Sequence, residues 1–467
     1  MQILLINPWV DQEAVYGKKF KSLGAVLPPL GLCYLAGVLQ KANLKVNIID
    51  ANLLSKPYEG IREQIKKLQP EVIGIYATTL GIEAAEDLAK GIKQDFPKIF
   101  TVIGGPHITG YGKETLRCKF FDFGIIGEGE FIFLQLVQTL ENNGNEFKDI
   151  PGLVWRKQSE IFQNTPVVLA KDIDEIPFPA RNLLPPLNKY HAKKMLFMKE
   201  PVAHIFTSRG CPYSCIFCQT PFGKKVRFHS AAYVAEEITQ LVKDYGVNEI
   251  RINDDTFNLD EERVAEIFRI LKQKGIYLTW SCNLRVNSVK DKSFLKRIKN
   301  DGCWLISIGL ESGDSKVLQA LKKGITLEQG RQVCAWAREV GLKVQASFMI
   351  GNISETEETI LKTIEFAKSL PIHYPTFSLL TPFPGTELWE KVADYGQLNY
   401  TRFSDLTLSH KPTFIPNGLT MEQLTFFHRK AYFDAYIRLE MVIRHLRGVD
   451  SLAELKKLWL ADFPFCP

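Results

Sequence analysis

The stretch Val202–Gln219, VAHIFTSRGCPYSCIFCQ, decides how the chain is read. Val202–Thr207 has the composition of a short strand. Cys211, Cys215 and Cys218 follow at once in a C-x3-C-x2-C loop. Downstream the pattern of strand, loop and amphipathic helix repeats. Strands are expected at Glu249–Asn253, Tyr277–Cys282, Trp304–Gly309, Lys343–Ile350 and Thr376–Leu380. Helical spacing lies between them at 232–245, 260–274, 290–300, 314–321, 327–340 and 355–369. Six such units predict a partial (β/α)6 TIM-type barrel over 201–388, with chemistry at the carboxyl ends of its strands. The cysteine loop lies at the first of those ends.

Upstream, residues 1–140 carry the same alternation. Strands are expected at Gln2–Ile6, Lys45–Ile49, Val72–Tyr76, Phe100–Ile103 and Phe123–Ile126, with helical segments between them. Alternating βα units predict a doubly wound, Rossmann-like parallel sheet that binds ligands in the crevice at its strand ends. Residues 141–200 break the pattern: Gly152–Asn164, GLVWRKQSEIFQN, reads as a hairpin, and the stretch from Ile173 is too proline-rich for regular structure. It is also too apolar to float freely, so it reads as a linker packed along both neighbours. Residues 389–467 form a mainly helical tail. The fold class is α/β.

The chain has 467 residues, 45% hydrophobic and 24% charged, with a net charge of +6. That balance excludes a fibrous or wholly disordered chain, and no block of like charges calls for nucleic acid. No apolar run reaches the roughly 20 residues that span a bilayer. The start, MQILLINPWV, reads as a strand rather than a leader, so a cytoplasmic protein with reduced thiols is expected. The nine cysteines are then ligands, nucleophiles or core fillers. Cys33, Cys118, Cys282, Cys303, Cys334 and Cys466 show no ligand spacing and read mainly as buried hydrophobes. Cys282 is expected to end the third barrel strand, from where it can also face the site.

Three thiolates on one tight loop suit an iron–sulfur cluster or zinc. A structural zinc site wants four closed ligands, and His229 is available as a fourth. A three-thiolate [4Fe–4S] cluster leaves one iron open, which is a catalytic arrangement.

The loop and its surroundings resemble the radical S-adenosylmethionine (SAM) enzymes. The resemblance continues through INDDTF, SCNLRVN, IGLESGD, SFMIGNISETEETI and TPFPGTELWE, each at a strand end. It implies cluster ligation by Cys211, Cys215 and Cys218, with Phe217 beside adenine. It further implies that Asp254 or Asp255 meets the SAM amine, Arg285 its carboxylate, Glu311 with Ser312 its ribose, and Gly351 its adenine. Without that role, Asp254 and Asp255 would cap the helix beginning near Leu259, and Arg285 would be a surface charge.

The N-terminal region lacks G-x-G-x-x-G after its first strand and has no G-x-x-x-x-G-K-[ST], which argues against a dinucleotide or a triphosphate. Through PPLGLCYLAGVL, IGGPHITG, IGEGE and the linker IDEIPFPARNLLP it resembles the cobalamin-dependent radical SAM enzymes. The subgroup with the anaerobic magnesium-protoporphyrin IX monomethyl ester cyclase and the hopanoid methylases is most similar. The loop after the first strand, NPWVDQEAVYGKK, holds no histidine. His107 is therefore expected to touch the corrin or its tail, or to make a local loop hydrogen bond, and not to ligate cobalt. Thr78, Thr79, Gly104, Gly105, Glu128 and Gly129 are the further contact candidates.

The resemblance implies a methyltransferase that uses a 5′-deoxyadenosyl radical and methylcobalamin to methylate an unactivated carbon. Its alternatives are a cobalamin-dependent cyclase, oxidase or rearrangement enzyme without net methylation, and a zinc-stabilised corrin carrier or sensor. The expected cofactors are a [4Fe–4S] cluster, SAM and cobalamin. The expected partners are a small-molecule substrate (lipid, terpenoid or tetrapyrrole) and an electron donor such as flavodoxin or ferredoxin, with the chain acting as a monomer. The apolar stripe in the tail helix from Met421 to about Leu446 reads as a core contact, with a lid or membrane-surface patch as the sharper alternative.

Overall fold

The computed structural model describes residues 1–10, 26–142, 144, 146–167, 169–190, 197–409 and 411–437. Its N-terminal sheet is built from β1 (Gln2–Asn7), α1 (Leu30–Lys41), β2 (Lys45–Asp50), α2 (Pro57–Leu68), β3 (Val72–Tyr76), α3 (Ile82–Asp95), β4 (Phe100–Gly104), α4 (Pro106–Tyr111), β5 (Phe123–Ile125) and α5 (Glu130–Glu141). The hairpin β6 (Leu153–Lys157) and β7 (Glu160–Gln163) extends it. The strand order is β2-β1-β3-β4-β5-β6-β7. The pairs among β1 to β5 are parallel, and β6 and β7 add antiparallel. The strand order reverses between β1 and β3, which opens a crevice at their carboxyl ends. All five expected parallel strands lie within a residue of where the alternation puts them, because strands buried on both faces read as continuous apolar runs. Residues from α1 and α5 form one core, and residues from α2, α3 and α4 the other.

The second sheet follows as β8 (Val202–Ile205), α6 (Ala231–Tyr245), β9 (Glu249–Ile252), α7 (Glu261–Gln273), β10 (Thr279–Leu284), α8 (Lys292–Asn300), β11 (Cys303–Glu311), α9 (Ser315–Ala320), α10 (Leu327–Glu339), β12 (Lys343–Ile350), α11 (Glu357–Ser369) and β13 (Tyr374–Leu379). Its six strands run in sequence order and all pair in parallel. Side-chain caps from Ser230, Asp260, Asp291, Asp314, Thr326 and Thr356 start the helices. Each cap satisfies an amide that the first turn would otherwise leave unpaired.

The third barrel strand begins two residues later than the sequence suggests. Gly275, at φ +71°, ends the preceding helix, and Tyr277 stands 78% exposed before the chain enters the sheet. Cys282 is therefore not at the strand's end. It sits at 0% exposure in the helix-facing core, and the reading that turns it toward the site is overturned.

The proline-rich connection packs on both sides. Ile173, Ile176 and Ala180 join the N-terminal core, while Arg181 pairs with Glu237 of α6 at 2.7 Å and donates to His204 O at 3.1 Å. In the tail, α12 (Met421–Tyr436) lies along β13. The Tyr436 hydroxyl donates to Pro375 O at 2.9 Å and the Tyr432 hydroxyl to Phe377 O at 3.1 Å. The helix thus covers a sheet edge, as the core-contact reading expects. The rest of the expected tail helix and Cys466 lie outside the described residues. Among the described residues no helix is long and apolar enough to cross a membrane.

Candidate active site

The cysteine loop leaves β8 through Thr207–Gly210, a segment fixed from three sides. Asp254 accepts from Thr207 N at 2.6 Å, Thr207 Oγ1 at 2.5 Å and Ser208 Oγ at 2.7 Å. Ser208–Arg209 pairs antiparallel with Arg227–Phe228. Gly210 has φ +95°, and a Cβ there would collide with Lys225 O, so only glycine makes this turn. Beyond it, the Ile216 amide donates to Leu321 O at 3.2 Å and Ile216 O accepts from Leu388 N at 2.9 Å. The middle of the loop is thereby pinned to the barrel rim.

Cys211, Cys215 and Cys218 line one cavity of about 280 Å³ at the carboxyl ends of the strands. Phe217, Asp255, Arg285 and Glu311 line the same cavity. The Arg285 guanidinium lies 3.6 Å over the Tyr213 ring, with Nη1 3.5 Å from Cys215 Sγ and Nε bonded to Asn287 at 3.0 Å. Its Nη2 is buried and has no partner. Glu311 has φ +64°, in the left-handed region, beside a register shift in β11. Strain of that kind on a non-glycine residue is held in place by its surroundings and concentrates at functional sites. Glu311 Oε1 receives Lys323 Nζ at 2.6 Å, and that ammonium lies 6.0 Å from the Phe217 ring. Neither Lys323 nor Tyr213 carried a sequence signal beyond proximity to a motif.

Five expected contacts have other surroundings in the structure. Asp254, at 0% exposure, is spent on the Thr207–Ser208 turn, and Asp260, not the Asp254-Asp255 pair, caps α7. Ser312 is equally buried and shares a hydrogen bond with Thr363 at 3.1 Å. Gly351 forms a turn in which its amide and that of Asn352 donate to Glu355 Oε2 at 2.6 and 2.8 Å, and it is not among the cavity's lining residues. Glu128 is taken by Arg209 at 3.0 Å and by Arg227, so it joins the two sheets instead of facing a ligand. Gly129 caps α5, and a Cβ there would meet Ile125 and Leu35, on the core side.

The remaining N-terminal candidates cluster at the ends of β3 and β4. A Cβ on Gly104 would meet nothing within 4 Å, so the space above it is open. Gly105 has φ +112° and Thr78 begins the turn after β3. Thr79 Oγ1 and His107 Nδ1 are buried without partners. No local hydrogen bond holds that His107 nitrogen. The ring instead packs edge-on against Phe403 at 4.8 Å and beside Tyr111 at 5.4 Å. This edge abuts the cysteine loop: a Cβ on Gly110 of α4 would collide with Pro384 O, the oxygen that also accepts from Gln219 Nε2 at 2.7 Å. Gln219 directly follows Cys218 and lines the cavity.

Burial lowers the His107 pKa to about 4. A histidine depressed in the folded state contributes stability that is present above its unfolded pKa, near 6.5, and lost as pH falls through about 4. The melting temperature should fall across that window, and His107→Asn should flatten the decline.

His229 does not complete a zinc site. Its Nδ1 is engaged by Asp174 at 3.0 Å, its ring stacks on Tyr233 at 4.0 Å, and it is absent from the cavity lining. Among the described residues no group of three His, Cys, Asp or Glu converges as a single metal ion requires.

The radical SAM superfamily model matches residues 205–367, and a B12 binding domain model matches residues 20–137. The chain is 36% identical over 452 residues to an uncharacterized methyltransferase of Pyrococcus horikoshii, covering 96% of this chain and 95% of the relative. The chain belongs to the B12-binding radical SAM enzymes. It is also 27% identical over 418 residues to the anaerobic magnesium-protoporphyrin IX monomethyl ester cyclase of Cereibacter sphaeroides, covering 87% and 67% of the two chains. The fold of this radical SAM enzyme superposes with TM-score 0.70 on the methyltransferase TsrM from Kitasatospora setae, with 18% identity and 93% and 89% coverage. Its cofactors are a [4Fe–4S] cluster, SAM and cobalamin. The site suits them. Three soft thiolates line one cavity with an unpartnered guanidinium nitrogen beside them, and an open, glycine-lined strand edge carries two unpartnered polar atoms.

Proposed function

We propose that this enzyme transfers a methyl group to an unactivated carbon of a small molecule. The observation that carries the reading is the juxtaposition of a three-cysteine cavity with the ligand edge of a cobalamin-binding sheet, joined through Gln219, Pro384 and Gly110. Bound together, the cluster and SAM supply hydrogen abstraction by reductive cleavage, and cobalamin supplies the methyl group.

The protein's own residues bind and orient. Cys211, Cys215 and Cys218 hold the cluster. Arg285, with an unused Nη2 beside Cys215, receives the SAM carboxylate through its planar fork. Asp255 is the carboxylate left to accept from the SAM amine, since Asp254 is committed elsewhere. Glu311, aimed by its ion pair with Lys323, accepts from ribose hydroxyls, and Phe217 lies beside the adenine. Gly104, Gly105, Thr78, Thr79 and His107 line the corrin site. A low-potential donor such as flavodoxin or ferredoxin reduces the cluster.

Arg285→Gln should weaken SAM binding roughly 10- to 100-fold, the scale of a lost charged hydrogen bond, while cluster absorbance persists. Equilibrium binding to the reconstituted chain measures it, and unchanged affinity contradicts the assignment. The similarity to the cyclase keeps a non-methylating radical reaction as the second reading. S-adenosylhomocysteine that forms only when cobalamin is bound supports methylation, and its absence in loaded enzyme favours the second reading.

A further inference from the structure

Barrel interiors are ordinarily filled by branched apolar side chains. Here the inward face is polar. His204, Arg251, Asn283, Ser307, Gln345 and Thr376 alternate with helix-facing core residues such as Ala203, Ile250, Ile252 and Ala346, and all six are partly exposed although they lie within strands. The interior beneath the cavity is therefore polar and not closed by apolar packing.

Arg251 belongs to that inward face, on β9. Its Nη2 donates to Asn283 Oδ1 at 3.3 Å, and Asn283 lines the cavity, so the guanidinium reaches up toward it. Nη1 is enclosed and has no partner, and Arg251 makes no ion pair among the described residues. The acid on the same strand face, Glu249, is already committed. It accepts from Met198 N at 2.8 Å, Lys199 N at 3.0 Å, Thr279 Oγ1 at 3.1 Å and Trp304 Nε1 at 2.8 Å. The register flanks Arg251 with His204 on β8 and Ser281 on β10. Burial, with Arg181 and Arg251, pushes His204 down to about 3, so it brings no compensating charge. Ser281 Oγ is buried and likewise unpartnered. Glu249 supplies charge from the same strand face but no bond to Nη1, and an enclosed guanidinium nitrogen without a partner is costly, as is a buried hydroxyl without one. One ligand oxygen bearing negative charge answers both.

We propose that Arg251 and Ser281 form the subsite for an anionic oxygen group, carboxylate or phosphate, on the substrate. The inference rests on the methyltransferase reading and narrows it: a purely hydrocarbon substrate does not fit, whereas an amphipathic molecule with one anionic end does. The SAM carboxylate is met separately by Arg285 beside the cysteines.

The test uses the full chain with cluster, cobalamin and SAM bound, titrated calorimetrically with acetate and with inorganic phosphate at constant ionic strength. Saturable binding of either anion is expected. It should weaken roughly tenfold or more in Arg251→Gln and less in Ser281→Ala, and be partly retained in Arg251→Lys. A response to acetate identifies a carboxylate, and a response to phosphate a phosphate ester. If Arg251→Gln fails to take up the cluster, Ser281→Ala carries the test. The proposal is overturned if neither anion saturates the wild type, if binding ignores these substitutions, or if only SAM affinity changes. Because anion binding needs no turnover, a chain that binds oxyanions through Arg251 yet makes no S-adenosylhomocysteine contradicts the methyltransferase reading alone.

Discussion

Cys215→Ala should abolish iron uptake and SAM cleavage together while leaving the fold intact. Cys215 lies mid-loop on the cavity wall, with Arg285 Nη1 3.5 Å from its sulfur. The loop's attachments do not pass through that sulfur. They are the backbone bonds of Cys211 N to Gly223 O, Ile216 N to Leu321 O and Cys218 N to Cys215 O, at 3.2, 3.2 and 3.3 Å. A partly exposed side chain whose one bond is a long contact from Arg285 to its sulfur should cost less than about 1 kcal/mol of stability when truncated. The expected outcome is therefore a monophasic melt close to wild type, with cluster absorbance and 5′-deoxyadenosine formation both gone. A zinc-stabilised carrier behaves in the opposite way, because a structural metal contributes folding energy outright. Unfolding of Cys215→Ala, or wild-type protein that purifies with zinc in place of iron, would reject the catalytic assignment.

Arg209→Met should be the most destabilising single substitution in the region joining the two sheets, by about 3–5 kcal/mol. Arg209 is 2% exposed, with Nη1 3.0 Å from Glu128 and Nη2 2.6 Å from Glu130, and its guanidinium lies between Tyr34 and Phe222 at 5.3 and 5.2 Å. Arg227 joins the same cluster through Glu128. Burial alone would raise the Glu130 carboxyl, yet Arg209 outweighs it and holds that carboxyl below its ordinary range. Removing the arginine strands the buried Glu130 carboxylate and leaves Glu128 to Arg227 alone. It also loosens the residue immediately ahead of Gly210 and Cys211. Chemical denaturation should show the loss, and Arg209→Met with Glu130→Gln should recover part of it, because the second change removes one stranded charge. A single substitution that costs under about 1 kcal/mol would mean the interface does not depend on this cluster.

The sequence revealed what depends on local spacing. Strand positions follow from apolar runs, and the cysteine loop and the residues closing each barrel strand follow from where those runs stop. That is why Phe217, Arg285 and Glu311 fall on one cavity with the cysteines. It could not say which of two adjacent carboxylates turns inward. Asp255 lines the cavity, while Asp254 braces the turn behind it, and the choice depends on Thr207 and Ser208, almost fifty residues earlier. Ser312 and Gly351 illustrate the same limit of spacing, since Thr363 and Glu355 supply tertiary partners that a strand-end position does not disclose. Glu128 reads as a ligand contact until its arginines arrive from the Ser208–Arg209 and Arg227–Phe228 ribbon. The polar barrel interior was different. Its period-two alternation is present in EIRI and KVQAS, in strand middles where ligand-binding positions are not expected.

The central claim is that the cluster cavity and the cobalamin edge act on one substrate. Anaerobic turnover with methyl-deuterated SAM, followed by mass spectrometry of nucleosides and products, tests it most directly. The account predicts 5′-deoxyadenosine and S-adenosylhomocysteine rising together, with the labelled methyl carried into a new carbon–carbon bond. 5′-Deoxyadenosine accumulating alone from cobalamin-loaded enzyme, with product formed and no label in it, would contradict it.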